Sequence, residues 1–173
     1  MIVALDVGYV ASAGSETGRC GVVMFESWQS SVAAVELSVD VQDVEPYVPG
    51  RLFERELPCL VAGLDSLTTA NPGIDLECVL VDGNVRLDGD GRPGLGQFLY
   101  RHLDERVPVV GIAKSAFEGL DAIEVRRGSS SNPLYVTAAG IDEREAAQRV
   151  ALMAGEFRLP TLIRRADQLA RGL

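Results

Sequence analysis

The chain has 173 residues, a length typical of one domain, and 47% of them are hydrophobic, which excludes a disordered protein. Its 16 basic and 25 acidic residues give a formal net charge of −9, so the chain as a whole offers no positive field to a phosphate backbone. This charge argues against a nonspecific nucleic-acid coat protein, but it allows a nucleic-acid enzyme whose metal site is built from carboxylates. We expect a single domain over residues 1–173.

The cysteines and the N-terminal sequence bear on the compartment. Cys20, Cys59 and Cys78 are odd in number and form no CxxC motif, which predicts buried thiols in a reducing compartment. The segment MIVALDVGY lacks the features of a signal peptide, and no apolar run reaches the ~18 residues of a membrane span. We therefore expect a cytoplasmic protein with no membrane partner. No distinctive interaction tail is evident, and we expect a monomer.

The first forty residues predict three antiparallel strands. IVALDVGY at 2–9 and GVVMFESW at 21–28 are short apolar runs. SVAAVELSVD at 31–40 alternates apolar and polar residues, with Gln29-Ser30 as the turn before it. Together these runs predict an antiparallel meander.

The middle of the chain predicts a parallel crossover. Apolar residues recur at intervals of three and four over 52–68, which predicts a helix despite Pro58 near its first turns. LECVLVDG at 76–83 and VPVVGIA at 107–113 predict strands that are buried on both faces, with a helix over 97–104 between them. A strand, helix, strand order of this kind indicates parallel strands.

The last third predicts a hairpin and a final helix. IEVRRG and PLYVTAAG flank the flexible segment GSSSN, as in a hairpin. Asp142 and Glu145 stand as N-cap and third residue of a long helix, with Ala146, Val150 and Met153 on its inner face. The complete order predicts an α/β fold with a ribonuclease H-like mixed sheet, an antiparallel three-strand meander plus parallel strands, and helices on both faces.

Three carboxylates are candidates for a metal site. Asp6 interrupts an apolar strand and Asp82 ends another, positions where burial is costly without a partner. If the two strands are neighbours, both carboxylates meet and favour a divalent cation. Glu56 adds a third oxygen donor if its helix packs over the sheet. The alternatives are a strand-ending turn for Asp82 and a solvated helix face for Glu56.

A series of sequence blocks resembles the endonuclease V family, nucleases that nick nucleic acid near deaminated adenine. The blocks are ALDVGY at 4–9, PYVPGRLFERELPCL at 46–60, VLVDG at 79–83, GLG at 94–96, VPVVGIAKSAFEG at 107–119 and RLPTLIRRADQLA at 158–170. They stand in the family's order and span nearly the whole chain. The PYVPG block followed by a glutamate and the GIAKS block are the specific ones.

The resemblance implies a catalytic set. Asp6, Glu56 and Asp82 would hold Mg²⁺, with Mn²⁺ able to substitute, and the metal would activate a water and stabilise charge on the phosphorus. Lys114 would neutralise phosphate charge near the scissile bond. Without the resemblance, a solvated charge at the end of a strand is the stronger interpretation of Lys114.

The resemblance also implies substrate contacts. Tyr47, flanked by Pro46 and Pro49, would be a wedge that stacks into the duplex beside the lesion. Gly83 and the backbone around Gly111 would shape a pocket for a flipped hypoxanthine. The alternative for Tyr47 is a loop anchor.

The chain departs from the family at two histidine positions. The segment DGNVRLDGDGRPG after the second aspartate places Asp88 where the family has a histidine, and VTAAGIDERE replaces the second histidine block. His102, the chain's one histidine, matches neither position and is expected to be an exposed helix residue. Asp142 is a candidate fourth metal-binding carboxylate, although a helix cap is the stronger interpretation.

The resulting hypothesis is a divalent-metal-dependent repair endonuclease that cleaves a phosphodiester near inosine in DNA or RNA. The missing histidines and the net charge of −9 leave open a nucleic-acid-binding protein with weakened chemistry. The altered loop from Asn84 to Gly91 leaves open a related nuclease with a different substrate preference.

Overall fold

The computed structural model describes residues 1–12, 15–48 and 51–173. Within these residues the chain forms seven strands and four helices. In chain order they are β1 (Ile2–Ser12), β2 (Ser15–Phe25), β3 (Val35–Val41), α1 (Leu52–Ala70), β4 (Cys78–Asp82), α2 (Leu95–His102), β5 (Val109–Ala113), β6 (Ile123–Val125), β7 (Leu134–Ala139), α3 (Glu143–Ala151) and α4 (Thr161–Ala170).

One mixed sheet contains all seven strands, in the order β3-β2-β1-β4-β5-β7-β6. The first three strands form the predicted antiparallel meander. β4 and β5 run parallel to β1, and the hairpin of β6 and β7 adds two antiparallel strands at the far edge. The predicted α/β fold with a mixed sheet is therefore confirmed.

Helices cover both faces of this sheet. α1 and α2 bury Leu60, Leu64 and Leu99 against one face. α3 and α4 bury residues such as Val150 and Leu162 against the other face. Each large side chain fully buried in this way contributes about 1.5 to 3 kcal/mol to stability. β4 and β5 lie between the two helical layers and are buried on both sides, as their continuous apolar sequences predicted.

The connection between β2 and β3 is longer than predicted. β2 ends at Phe25 and β3 begins at Val35, so the predicted turn at Gln29-Ser30 lies within a longer loop. Ser27 accounts for part of the difference, since its backbone N–H donates to the Ser30 hydroxyl at 3.1 Å instead of to a neighbouring strand.

The long helix predicted to begin after Asp142 is shorter than expected, and a second helix follows it. α3 ends at Ala151, and α4 begins at Thr161 after a loop. Gly155 in this loop has a φ of +113°, a backbone conformation that favours glycine and is not helical. Asp142 caps α3 as predicted, since its Oδ1 accepts from the backbone N–H groups of Arg144 and Glu145.

All three thiols are free and buried, as predicted. Burial raises the pKa of Cys78 to about 12, so this thiol is held protonated. Among the helices of the described residues, none has the length and apolar character needed to cross a membrane.

Candidate carboxylate site

The pairing of β1 with β4 places two aspartates side by side. In the parallel register Leu5 lies opposite Val81, and the next residues along the two strands are Asp6 and Asp82. Because side chains alternate between the faces of a sheet, the two aspartates lie on the same face as each other. The expectation that the two strands are neighbours at the sheet centre is confirmed.

Glu56 approaches the aspartates from the first turns of α1. The Tyr9 hydroxyl of β1 donates to Oε1 of Glu56 over 3.5 Å. The guanidinium of Arg55 lies over the Tyr9 ring, 3.6 Å from its centroid, and Arg55 also forms an ion pair with Glu16 at 3.0 Å. Tyr9, with Arg55 packed over its ring, therefore orients Glu56. The sequence did not reveal this supporting role.

Lys114 follows β5 directly and reaches the carboxylates from the other side. Its Nζ donates to Oδ2 of Asp82 at 2.6 Å and to Oδ1 of Asp167 at 3.4 Å. Asp167 lies on α4, where it also accepts a hydrogen bond from Arg171 at 2.8 Å. The site therefore contains a fourth carboxylate, contributed by α4.

Close backbone contacts set the position of α4. A Cβ at Gly21 of β2 would lie 2.7 Å from the backbone nitrogen of Ala170 and would also clash with the Ala166 carbonyl. A Cβ at Gly8 of β1 would clash with the Ala170 carbonyl. The helix backbone thus rests on strand backbone at two glycines, which brings Asp167 towards Asp6 and Lys114.

The carboxylates repel one another electrostatically. Burial and the charge of Asp82 raise the pKa of Asp6 to about 7. Burial and the charges of Asp6 and Asp82 raise the pKa of Glu56 to about 7 as well. Burial disfavours the charged form of Lys114, but its hydrogen bond to Asp82 and the surrounding carboxylates outweigh burial and raise its pKa. The site holds more negative charge than one lysine neutralises.

The arrangement of the described residues includes no group of three His, Cys, Asp or Glu side chains that could hold a metal ion as they stand. Asp82 instead accepts its hydrogen bond from Lys114. The donor chemistry nevertheless fits a hard divalent cation, since carboxylate oxygens are the preferred ligands of Mg²⁺. The repulsion that raises the pKa of Asp6 and Glu56 is also what such a cation would relieve.

A pocket with aromatic walls, which we call the aromatic pocket, opens beside the carboxylates. Its volume is about 520 Å³, and Glu56 and Asp82 form part of its lining. Phe53 and Phe98 stack at one wall with their ring centroids 4.0 Å apart. Tyr47 lies at its edge with 62% of the residue exposed. Flat apolar walls next to carboxylates suit a planar heterocycle.

The two predicted glycines play different parts at this pocket. Gly83 lines it and has a φ of +129°, a conformation that side chains rarely adopt. A Cβ at Gly111 would lie 2.6 Å from the carbonyl oxygen of Gly83 and 2.9 Å from the nitrogen of Val85. Gly111 therefore lets the loop after β4, which carries Gly83, rest on β5.

The remaining predicted positions lie as follows. Pro46 is exposed next to Tyr47, and Pro49 lies outside the described residues. Asp88 holds a turn, because its Oδ1 accepts from the backbone N–H groups of Asp90 and Arg92. His102 is exposed at the last turn of α2, as expected.

Comparison with known proteins gives a consistent assignment. The family model described as Endonuclease V matches residues 1–138. Endonuclease V of Rhodospirillum centenum is 30% identical over 192 residues, which cover 98% of this chain and 76% of that protein. Human endonuclease V is 27% identical over 199 residues, which cover 96% of this chain and 69% of the human protein.

Solved structures share the fold. Endonuclease V from Bacillus subtilis has a TM-score of 0.81 at 21% identity, over 99% of this chain and 79% of that one. Endonuclease V of Ciona intestinalis, solved with a 23mer DNA containing an inosine followed by a ribo-adenosine, has a TM-score of 0.75 at 17% identity, over 99% of this chain and 83% of that one. With the family model covering residues 1–138, these similarities show that the chain belongs to the endonuclease V family.

Proposed function

We propose that the protein is a divalent-metal-dependent endonuclease that hydrolyses a phosphodiester near a deaminated base, leaving 3′-hydroxyl and 5′-phosphate ends. The observation that carries this proposal is that Asp6, Glu56, Asp82 and Lys114 are electrostatic or hydrogen-bonded neighbours, and that Glu56 and Asp82 line the aromatic pocket. Carboxylates for a cation, a lysine for phosphate and a pocket for a base are the parts that such a reaction needs.

Asp6, Glu56 and Asp82 are the residues that would hold Mg²⁺, or Mn²⁺ in its place. When bound, the ion supplies positive charge to the phosphate oxygens and acts as a Lewis acid for the attacking water. Tyr9 keeps Glu56 oriented through its hydroxyl. The backbone N–H of Val7 fixes Asp6 by donating to its Oδ1 at 2.8 Å.

Lys114 would bind the phosphate next to the scissile bond. It carries a full charge at neutral pH, because the neighbouring carboxylates raise its pKa. Asp82 and Asp167 hold its ammonium group between them, at 2.6 Å and 3.4 Å. A cation held before substrate arrives needs little rearrangement to stabilise charge in the transition state.

The aromatic pocket would receive the deaminated base, and Tyr47 would stack in the space that the base leaves. The support is the pocket's volume of about 520 Å³, its stacked phenylalanines and the exposure of Tyr47. The inosine in the DNA bound by the Ciona protein is consistent with this assignment.

A nicking assay tests the proposal. End-labelled strands with one deoxyinosine or one inosine, and undamaged controls, are incubated with Mg²⁺, Mn²⁺ or EDTA. We expect metal-dependent nicking 3′ of the inosine, its loss in Asp82→Ala, and binding retained by Asp82→Ala in Ca²⁺. Equal nicking by wild type and Asp82→Ala would contradict the proposed role of the carboxylates.

The same assay separates the alternatives. Binding of inosine strands without cleavage in any metal would favour a nucleic-acid-binding protein with weakened chemistry. Cleavage of RNA, branched or undamaged strands in preference to inosine strands would favour a related nuclease with another substrate.

A further inference from the structure

A second cavity, which we call the basic cleft, adjoins the carboxylate site. Its volume is about 510 Å³, and its lining includes Lys114, Arg158, Arg164 and Arg171 with one carboxylate, Asp167. A local excess of cations in a chain of net charge −9 indicates a surface for an anionic ligand.

The basic cleft is continuous with the proposed reaction site. Lys114 lines the cleft, and Asp82, its ion-pair partner at 2.6 Å, lines the aromatic pocket. The carboxylates therefore lie between a cavity with aromatic walls and a cavity with cationic walls.

Protein oxygens hold three of the four cations in place. Lys114 donates to Asp82, and Arg171 donates to Asp167 at 2.8 Å. Arg158 donates to the carbonyl of Pro133 at 2.9 Å. These contacts fix the walls of the cleft.

Arg164 differs, because it faces an aromatic ring. Its guanidinium carbon lies 5.5 Å from the centroid of the Phe157 ring, and 57% of Phe157 is exposed. Both residues line the basic cleft. An exposed ring next to an arginine in a cationic groove is the arrangement on which single-stranded nucleic acids stack their bases.

A buried arginine holds the loop that carries Phe157. Arg127, which is 7% exposed, donates to the carbonyl oxygens of Ala151 at 3.3 Å, Gly155 at 3.2 Å and Phe157 at 3.1 Å. It donates to the Met153 carbonyl as well. The loop that carries the Phe157 ring is thus held in place before any ligand binds, which lowers the entropic cost of stacking a base on that ring.

We propose that the basic cleft binds the single-stranded segment of nucleic acid that adjoins the scissile phosphate. One base of this segment stacks on Phe157, and its phosphates lie at Arg164 and Arg171. This inference rests on the proposed nuclease function, because the segment is assigned as part of the same substrate strand. Phosphate and base chemistry are common to DNA and RNA, so both are ligands of the cleft.

Binding in EDTA tests the cleft separately from cleavage. The probe is a fluorescent single-stranded oligonucleotide with one deoxyinosine, measured by anisotropy over a range of salt concentrations. The variants are Phe157→Ala, Phe157→Leu and Arg164→Gln. The matched controls are Leu152→Ala, since Leu152 is 66% exposed on the same loop but is not part of the cleft lining, and Arg101→Gln, an exposed arginine of α2.

Both Phe157 variants are expected to weaken binding about tenfold through loss of one stacked base. Arg164→Gln is expected to reduce the slope of log affinity against log salt by about 0.7, the value for one lost phosphate contact on a single strand. The control variants are expected to match wild type. A ribonucleotide probe with the same sequence is expected to show the same losses.

The inference is overturned if wild type does not bind the probe, or if the Phe157 and Arg164 variants bind with the affinity and salt slope of the controls. Nicking in Mg²⁺ is measured on the same preparations. A wild type that binds through Phe157 and Arg164 but nicks no strand in any metal contradicts the proposed function and supports the cleft.

Discussion

The ammonium group of Lys114 lies 2.6 Å from Oδ2 of Asp82, so a cation of the protein itself neutralises one of the three carboxylates proposed to hold a metal. The same ammonium lies 3.4 Å from Oδ1 of Asp167. Lys114 and the proposed metal would therefore compete for the charge of Asp82, although both are proposed to act on the same phosphate.

Because of this competition, substitution of Lys114 should weaken nicking and strengthen metal binding. Lys114→Met should slow nicking at saturating Mg²⁺ by about 10²- to 10³-fold, because a charge aimed at the phosphate is lost. The same variant should bind Mn²⁺ more tightly than wild type, since Asp82 no longer shares its charge. Single-turnover nicking and Mn²⁺ titration by calorimetry measure the two effects, with Lys114→Arg as the charge-conserving control. Equal nicking by Lys114→Met and wild type would rule out the proposed role of the lysine.

The charge of Asp6 should destabilise the fold in EDTA and contribute to stability when Mg²⁺ is bound. In EDTA at mildly alkaline pH, Asp6→Asn should raise the free energy of unfolding by roughly 1 to 3 kcal/mol, because the charge of Asp6 is disfavoured by burial and by Asp82. With Mg²⁺, wild type should gain stability from the bound ion and the variant should gain little. Urea unfolding in both buffers is the measurement.

Asp65→Asn is the control for Asp6→Asn, because Asp65 is an exposed aspartate on α1. The free energy of unfolding of Asp65→Asn should differ little from that of wild type in either buffer. A lower stability of Asp6→Asn in EDTA would show that the carboxylates are not in net repulsion.

Gly111→Ala should disturb the aromatic pocket without entering it. The new Cβ would lie 2.6 Å from the Gly83 carbonyl oxygen, so the loop after β4 must shift. We expect a loss of about 1 to 3 kcal/mol of stability and weaker binding of inosine strands. Gly89→Ala is the matched control, because among the described residues no heavy atom lies within 4 Å of the place that a Cβ at Gly89 would take. Inosine binding by Gly111→Ala at the wild-type level would show that Gly111 does not shape the pocket.

Arg127 should contribute strongly to stability even though it forms no part of the carboxylate site. Arg127→Met removes the donors of several carbonyl groups in the loop between α3 and α4, and should cost roughly 3 kcal/mol. Arg126→Met is the control, since Arg126 is exposed next to Glu124. Thermal unfolding compares the two variants, and equal melting temperatures would contradict the bracing role of Arg127.

Much of the central sheet could be predicted from sequence, because its signals are local. β4 and β5 are apolar throughout, and this pattern identifies strands covered by helices on both sides. Once β1 and β4 are recognised as parallel neighbours, the proximity of Asp6 and Asp82 follows from the alternation of side chains.

Asp167 could not be predicted in the same way. Its approach to Lys114 depends on where α4 docks, and the apolar pattern of the helix does not reveal the close contacts of Gly8 and Gly21 with the helix backbone that set this position. The end of α3 was missed for a related reason. The donors that satisfy the loop carbonyls come from Arg127, which is distant in sequence and reads as a surface residue.

The docking of α4 onto Gly8 and Gly21 determines when the site is completed during translation. β1 supplies Asp6 early in translation, whereas Asp167 lies in the last helix of the structure. While α4 is still inside the ribosome, a nascent chain has its strand glycines uncovered and lacks the carboxylate that helps to position Lys114. The complete site, and with it the proposed ability to cut nucleic acid, therefore arises only after α4 has left the ribosomal tunnel.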